Sequence, residues 1–242
     1  LAIAGGHGEL QVGTLPSLAI LDSGDELAAD PAQCAPHQVP ASNGAMLAAM
    51  AAPLARDVRR TGPVPDRLDV FLDVLAHCSD VDVIVTSGGA SVGDHDLVRP
   101  ALEQWGATID FWRVALKPGK PLLVARKGAQ WILGLPGNPV SSYVTAFLFL
   151  LPLLRRLGGA AEPLPQAVAM RLGAGLPAVG DRTEFVRARL EDGKLVAVAE
   201  QDSSALAALS RAQALFERPS GGATAAAGDL VRAYWLENGG IA

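Results

Sequence analysis

The chain has 242 residues, of which 50% are hydrophobic and 19% charged, and this composition excludes a disordered or low-complexity protein. A net charge of −5 without a basic block argues against nucleic acid as the main partner. Cys34 and Cys78 lack the spacing of a metal site or a disulfide framework. The longest apolar run is about 12 residues, whereas a membrane span needs roughly 20. We therefore expect a cytoplasmic protein without a membrane segment.

Apolar segments alternate with amphipathic ones through the first two thirds of the chain. This alternation predicts an α/β fold in which helices cover a mostly parallel sheet. The predicted strands are 17–22, 57–62, 82–87, 109–115, 122–125 and 131–135. The predicted helices are 43–54, 67–76, 96–104 and 140–151. In such sheets, ligands bind at the carboxyl ends of the strands.

A segment rich in Gly, Ala and Pro at 158–165 interrupts the alternation and predicts a domain boundary. Short alternating segments beyond it predict a small β domain with strands at 166–172, 184–190, 195–199, 214–217 and 229–235. Residues 1–15 have no core of their own, and we expect them to be the last part of a missing upstream domain. The predicted domains are 1–15, 16–160 and 161–242.

The segment 134–141, GLPGNPVS, joins a predicted strand to a predicted helix. Asn138 is a favourable N-cap, and Pro139 suits the first helical position. Gly137 allows the backbone to approach a ligand closely, and the free N–H groups of the helix start attract an anion. The same residues also fit an ordinary capped helix after a tight turn.

The segment 86–94, TSGGASVGD, follows another apolar strand. Its three glycines and three hydroxyls predict an oxyanion cradle. Asp94 and Asp96 offer hard oxygen ligands suited to Mg²⁺. The alternative is a flexible loop in which one of these aspartates caps the next helix. For His95, between them, we favour a solvated loop residue over a metal ligand.

Two more polar loops fall at the same predicted sheet edge. In 117–121, KPGKP, the prolines orient Lys117 and Lys120 toward a polyanion, although for this segment alone we favour an ordinary solvated turn with surface lysines. In 22–26, DSGDE, the carboxylates suit a metal or a general base, or form a merely polar loop. Together the four loops predict a site for a phosphate-bearing ligand and a divalent ion.

With these motifs, the chain resembles the MoeA-type molybdopterin molybdenumtransferases, the family that includes the E domain of gephyrin. The resemblance covers nearly the whole chain and rests on DSGDEL (22–27), SNG (42–44), TSGGASVGD (86–94), KPGKP (117–121), GLPGNPVS (134–141) and RTEFVR (182–187). It implies a three-layer α/β/α, MogA-like molybdopterin-binding domain followed by a small β-barrel-like domain. It also implies a homodimer that inserts molybdate into adenylated molybdopterin with Mg²⁺ and releases AMP.

The resemblance also implies roles for individual residues. Glu26 and Asp96 are the expected catalytic and metal-binding carboxylates, with Asp25 and Asp94 as neighbours. Lys117 and Lys120 are the expected catalytic cations, which hold the anion. The residues expected to bind the pterin or molybdate are Ser87, Gly88, Gly89, Gly137, Asn138, Pro139, Ser141 and Arg182.

Three departures from the family pattern bear on activity. We expect the family's leading domains, roughly its first third, to be missing except for their last part at 1–15. In addition, Ala41 stands where the family carries an aspartate, and 202–208 lacks the family's histidine and two hydroxyls. The missing carboxylate at Ala41 and the missing upstream domains favour an alternative, a non-catalytic module that carries or shields molybdopterin. The residues that favour the enzyme are Glu26, Asp96, Lys117 and Lys120, all of which are present. A scaffold role like that of the gephyrin E domain has no support beyond the resemblance.

Overall fold

The computed structural model describes residues 1–88, 97–202 and 205–240. Its first sheet contains six strands in the order β2-β1-β3-β6-β5-β4. These strands are β1 (Ser17–Ser23), β2 (Asp57–Val64), β3 (Val83–Ser87), β4 (Thr108–Trp112), β5 (Leu123–Lys127) and β6 (Gln130–Leu135). The first four in the spatial order are parallel, and β5 and β4 each run antiparallel to the preceding neighbour. The expectation of a mostly parallel sheet is confirmed.

Helices cover both faces of this sheet and make a three-layer α/β/α arrangement. One face carries α2 (Leu68–His77) and α3 (Val98–Gln104), whose buried Phe71 and Leu102 pack on the sheet. The other face carries α1 (Asn43–Ala51) and a long helix that starts at Pro139, with Leu47 and Leu150 in the core. The strand β4 is shorter than predicted because Arg113 takes a left-handed conformation, with φ at 74°, and ends the extended run.

The long helix consists of α4 (Pro139–Thr145), a π-helical turn (Ala146–Leu150) and α5 (Leu151–Leu157). By length and composition alone, Pro139–Leu157 is long and apolar enough to cross a membrane, and the helix extends beyond the predicted range 140–151. Pro152 does not end it because this proline occupies the first turn of α5, where a missing N–H is tolerated. Its most apolar window is 67% buried inside the protein, and packing on the sheet accounts for its composition.

The C-terminal part forms a second sheet in the order β7-β11-β10-β8-β9. Its strands are β7 (Val168–Arg171), β8 (Thr183–Glu191), β9 (Lys194–Ala197), β10 (Ala214–Arg218) and β11 (Leu230–Trp235). A bridge between Leu172 and Leu195 joins the two edges, so that the sheet curls toward a barrel, as the resemblance implied. A short helix, α6 (Leu206–Leu209), was not predicted.

Two contacts connect the sheets. The short strand Leu116–Lys117 pairs in parallel with Thr183 and Glu184 at the start of β8. An apolar cluster joins the long helix to the second sheet, and its buried members are Val144, Phe147, Leu151, Phe185, Leu215 and Tyr234. The loop after β4 is therefore attached to the C-terminal domain as well as to the first sheet.

Candidate functional site

The carboxyl ends of the three central parallel strands lie side by side. Asp22 of β1 is in register with Ser87 of β3, and Ser87 is in register with Leu135 of β6. A cavity of about 430 Å³ opens at this edge, and we call it the strand-end pocket. The predicted site residues that line it are Glu26, Ser87, Gly88, Gly137 and Pro139.

Asn43, in the first turn of α1, ties three of the loops together. Its Nδ2 donates to Ser87 Oγ at 2.8 Å and to the carbonyl oxygen of Gly137 at 2.7 Å. Because these two bonds use both amide hydrogens, the orientation of the side chain is fixed. Asn43 therefore holds the ends of β3 and β6 against α1, a role that the SNG motif did not indicate.

Two glycines allow the loops to pack closely. Gly88 has a φ of +95°, and a Cβ there would overlap the carbonyl oxygen of Ser23. A Cβ on Gly137 would lie 3.3 Å from the Cα of Gly88. The backbones of three strand ends thus touch where larger residues would hold them apart.

Asp22 is a carboxylate residue of the pocket that the predicted roles omitted. Asp22 is among the residues that line the strand-end pocket, although it is only 4% exposed. Burial raises the pKa of its carboxyl, while the charge of Arg60 and a hydrogen bond from the Gly44 backbone N–H act in the opposite direction. Asp22 was visible in the DSGDE motif, but no pattern in the sequence distinguishes a buried carboxylate from an exposed one.

The predicted acidic residues occupy different places. Glu26 lines the strand-end pocket, with its carboxyl folded back over Gly24. Asp25 instead exchanges hydrogen bonds with Asp66 at an exposed loop. Asp94 and Asp96 lie outside the described residues, as does Gly89. No group of three or more His, Cys, Asp or Glu side chains suited to a metal occurs in the described part of the chain.

At the start of α4, the GLPGNPVS motif forms a capped helix and also contributes residues to the pocket. Asn138 caps the helix, since its side chain accepts a hydrogen bond from the Ser141 backbone N–H at 3.5 Å. Pro139 follows the cap and lines the pocket. Asn138 and Ser141 thus shape the rim through this cap and do not themselves line the pocket.

The predicted cations lie elsewhere. Lys120 and Arg182 line a second cavity of about 440 Å³, which we call the seam cavity because it lies where the loop after β4 meets the second sheet. Arg113, which the motifs did not single out, also lines this cavity. Its guanidinium carbon lies 3.9 Å from the centroid of the Trp112 ring, in a cation–π contact. Among the described lining residues, Asp181 is the one carboxylate. The seam cavity is therefore basic.

Lys117 is not among the described lining residues of either cavity, and it forms an ion pair. Its Nζ lies 2.9 Å from Glu184 Oε1 on β8. Between the two lysines, Gly119 packs on Thr145 of α4, where a Cβ would come within 2.5 Å of the threonine methyl. The KPGKP loop is thus anchored on the helix that begins at the strand-end pocket, with Lys120 directed to the seam cavity.

The family comparison agrees with this geometry. Residues 19–156 match the family model described as "Probable molybdopterin binding domain", which is more than half of the chain. The chain belongs to the molybdopterin-binding domain family. Residues 169–236 of this family member match the MoeA C-terminal region (domain IV). The resemblance to MoeA-type proteins is confirmed by the two matches in this order.

Several known proteins are similar to this chain in sequence or in fold over part of their length. Gephyrin from Dictyostelium discoideum is 36% identical over 174 residues, which is 60% of this chain and 24% of gephyrin. The molybdopterin molybdenumtransferase of a Nostoc species is 34% identical over 183 residues, 74% of this chain and 42% of that enzyme. The solved molybdopterin biosynthesis MoeA protein from Pyrococcus horikoshii shares the fold, with a TM-score of 0.80 and 24% identity over 93% of this chain and 55% of that one. The chain thus spans from about a quarter to about half of these relatives.

Proposed function

We propose that the chain acts in molybdenum cofactor biosynthesis as the pterin-binding part of a molybdopterin molybdenumtransferase. The observation that carries this proposal is the convergence of residues from the DSGDEL, SNG, TSG (86–88) and GLPGNP segments on one pocket, held by the two hydrogen bonds of Asn43. The matched relatives bear the name of this enzyme, which supports the assignment.

The two cavities suggest a division of the substrates. Ser87, Gly88, Gly137 and Pro139 would contact the pterin in the strand-end pocket. In the seam cavity, Lys120 and Arg182 would hold molybdate by charge. There they would also neutralise the negative charge that develops as a phosphoanhydride breaks. Lys117 would have a lesser role than the motif predicted, because its Nζ is paired with the Glu184 carboxylate.

Magnesium fits the donor set of the strand-end pocket, since Mg²⁺ prefers carboxylate oxygens and Glu26 provides one at the rim. Glu26 would hold the ion together with Asp96, which stays a prediction from the sequence. When bound, Mg²⁺ would compensate phosphate charge. The homodimer, the cytoplasmic location and the domain boundaries at 15/16 and 160/161 likewise stay predictions.

One observation favours the second candidate, a module that binds molybdopterin without turnover. Ala41 lines the strand-end pocket where the family pattern places an aspartate. A methyl group provides neither a metal ligand nor a proton acceptor. Pterin binding survives this change more easily than catalysis does.

An assay of this chain with adenylated molybdopterin, molybdate and Mg²⁺ separates the two candidates. Release of AMP above background, dependent on Mg²⁺ and molybdate, supports the transferase. Tight binding of the pterin without AMP release supports the module. If the chain neither binds the pterin nor releases AMP, the proposal fails.

A further inference from the structure

Asp22 is the acidic side chain with the least exposure in the described part of the chain, and the roles proposed above do not use it. Burying a carboxylate is costly unless hydrogen-bond donors compensate for the lost water. The compensation within the protein consists of the Gly44 backbone N–H and the charge of Arg60. Asp22 is a lining residue of the strand-end pocket, so a ligand there can supply further donors.

Near Asp22, the polar atoms of the pocket offer few hydrogen-bond donors to a ligand. Both hydrogens of Asn43 Nδ2 are used inside the protein, while Asn43 Oδ1 and Ser23 Oγ are buried without a hydrogen-bond partner among the described residues. The described lining of the pocket includes no lysine, arginine or histidine. This part of the pocket therefore suits a ligand group rich in N–H donors better than it suits a phosphate.

The position of the Asp22 carboxyl depends on a glycine. A Cβ on Gly44, in the first turn of α1, would overlap Asp22 Oδ2. Nearby, Ala41 leaves its part of the pocket wall without a carboxylate. Gly44 thus leaves the space that the Asp22 carboxyl needs, and β1 contributes an acidic residue to the pocket.

We infer that Asp22 determines specificity for the pterin ring, because its carboxylate accepts two hydrogen bonds from the 2-amino group and the adjacent N3–H of the ring. A planar carboxylate matches two adjacent N–H donors, as in its pairs with guanidinium groups. This inference rests on the proposed function and assigns the ring edge, instead of the phosphate, to the Asp22 side of the pocket.

The test compares two fluorescent probes on the full chain: pterin, which is 2-amino-4-oxopteridine, and lumazine, which carries a carbonyl oxygen in place of the 2-amino group. The wild-type chain should bind pterin about tenfold more tightly than lumazine, since the lumazine oxygen faces the carboxylate. Asp22→Asn should lower pterin affinity by about tenfold to 100-fold, leave lumazine affinity within about twofold, and leave the melting temperature unchanged or higher.

Two further variants sharpen the result. Gly44→Ala, which displaces the carboxyl, should reduce the preference for pterin in the same way. Asp57→Asn, an exposed carboxylate at the start of β2, is the matched control and should change neither affinity.

The outcomes distinguish this inference from the proposed function. If the wild type binds pterin and molybdopterin but Asp22→Asn binds pterin equally well, the role of Asp22 is wrong and the proposed function stands. If the wild type binds neither compound, the proposed function itself fails. Should Asp22→Asn not fold, equal affinity of the wild type for pterin and lumazine overturns the inference.

Discussion

The strand-end pocket and the seam cavity differ in the chemistry of their described walls. The first is lined by Asp22, Glu26, hydroxyls and glycines without a cation, whereas the second gathers Arg113, Lys120 and Arg182 around one carboxylate. Both open toward the same sheet edge, because β4 runs in the same direction as β6. Two strand spacings, roughly 10 Å, separate the ends of β4 and β6. One sheet edge thus provides two sites of opposite charge.

This difference shows that residues at the same sheet edge can belong to different sites. In the strand-end pocket, the backbones of neighbouring loops approach closely because glycines leave room for them. The second depends on the C-terminal domain, since Arg182 precedes β8 and the short strand Leu116–Lys117 pairs with it. The division predicts that variants in one cavity spare ligand binding in the other.

The largest effect is expected for Gly137→Val. A Cβ at this position already lies 3.3 Å from Gly88, so a branched side chain must separate the two loops. Pterin affinity should fall by about 100-fold while molybdate affinity stays unchanged, as measured by fluorescence and calorimetric titration. Gly8→Val is the control because a Cβ there meets nothing within 4 Å. Unchanged pterin affinity in Gly137→Val would remove this loop from the site.

The attachment of the C-terminal domain should weaken at alkaline pH. Burial and the hydrogen bond to Glu217 raise the pKa of Tyr234 to about 12, from a model-compound value of 10.0. The folded chain holds this proton more tightly than the unfolded chain, so the contribution is complete below pH 10 and is lost as pH rises to about 12. Denaturant titrations should show a loss of about 2 kcal/mol in the free energy of unfolding over this range.

Two variants isolate Tyr234 in this experiment. Tyr143 is the other tyrosine, and burial raises its pKa as well, so the titration is done in Tyr143→Phe. Adding Tyr234→Phe should abolish the remaining slope. A slope that persists in the double variant would assign the alkaline loss to other groups.

In the seam cavity, Lys120→Ala should lower molybdate affinity by about tenfold at low ionic strength and leave pterin affinity unchanged. The reason is the loss of one of the three cations that line the cavity. Lys127→Ala is the matched control, since that lysine lies over the Trp105 ring at 3.6 Å and does not line the seam cavity. Equal molybdate affinities for the two variants would contradict the assignment of the oxyanion to this cavity.

The smallest effect is expected for Glu184→Gln, which releases Lys117 from its ion pair. The pair is partly exposed, so the free energy of unfolding should change by less than about 1 kcal/mol. Molybdate affinity should rise by about twofold to fivefold as a further cation becomes free near the seam. An unchanged affinity would show that Lys117 stays too far away even when it is unpaired.

The sequence allowed the strands and most helices to be predicted because their apolar periodicity is strong. It failed where a local conformation overrides periodicity, as at Arg113, which ends β4 early, and at Pro152, which the long helix passes through. Two-residue strands such as Leu116–Lys117 carry no periodic signal, and their pairing with Thr183 is a tertiary event.

The sequence identified many residues of the site but did not show that they divide between two cavities. Ser87 ends one parallel strand and Gly137 comes soon after the end of its neighbour, so their meeting follows from topology alone. Lys120 and Arg182 are 62 positions apart and meet because the C-terminal domain docks on the loop after β4. Burial of Asp22 depends equally on tertiary packing, since it requires the glycine at position 44.

The most direct test of the two-cavity account is a crystal structure of the chain with pterin and tungstate, which matches molybdate in charge and size and is located by anomalous scattering. The account predicts the pterin ring in the strand-end pocket, next to Asn43 and Gly137, and the tungsten between Lys120 and Arg182. Tungsten beside Ser87 and Gly88, or the ring in the seam cavity, would contradict it.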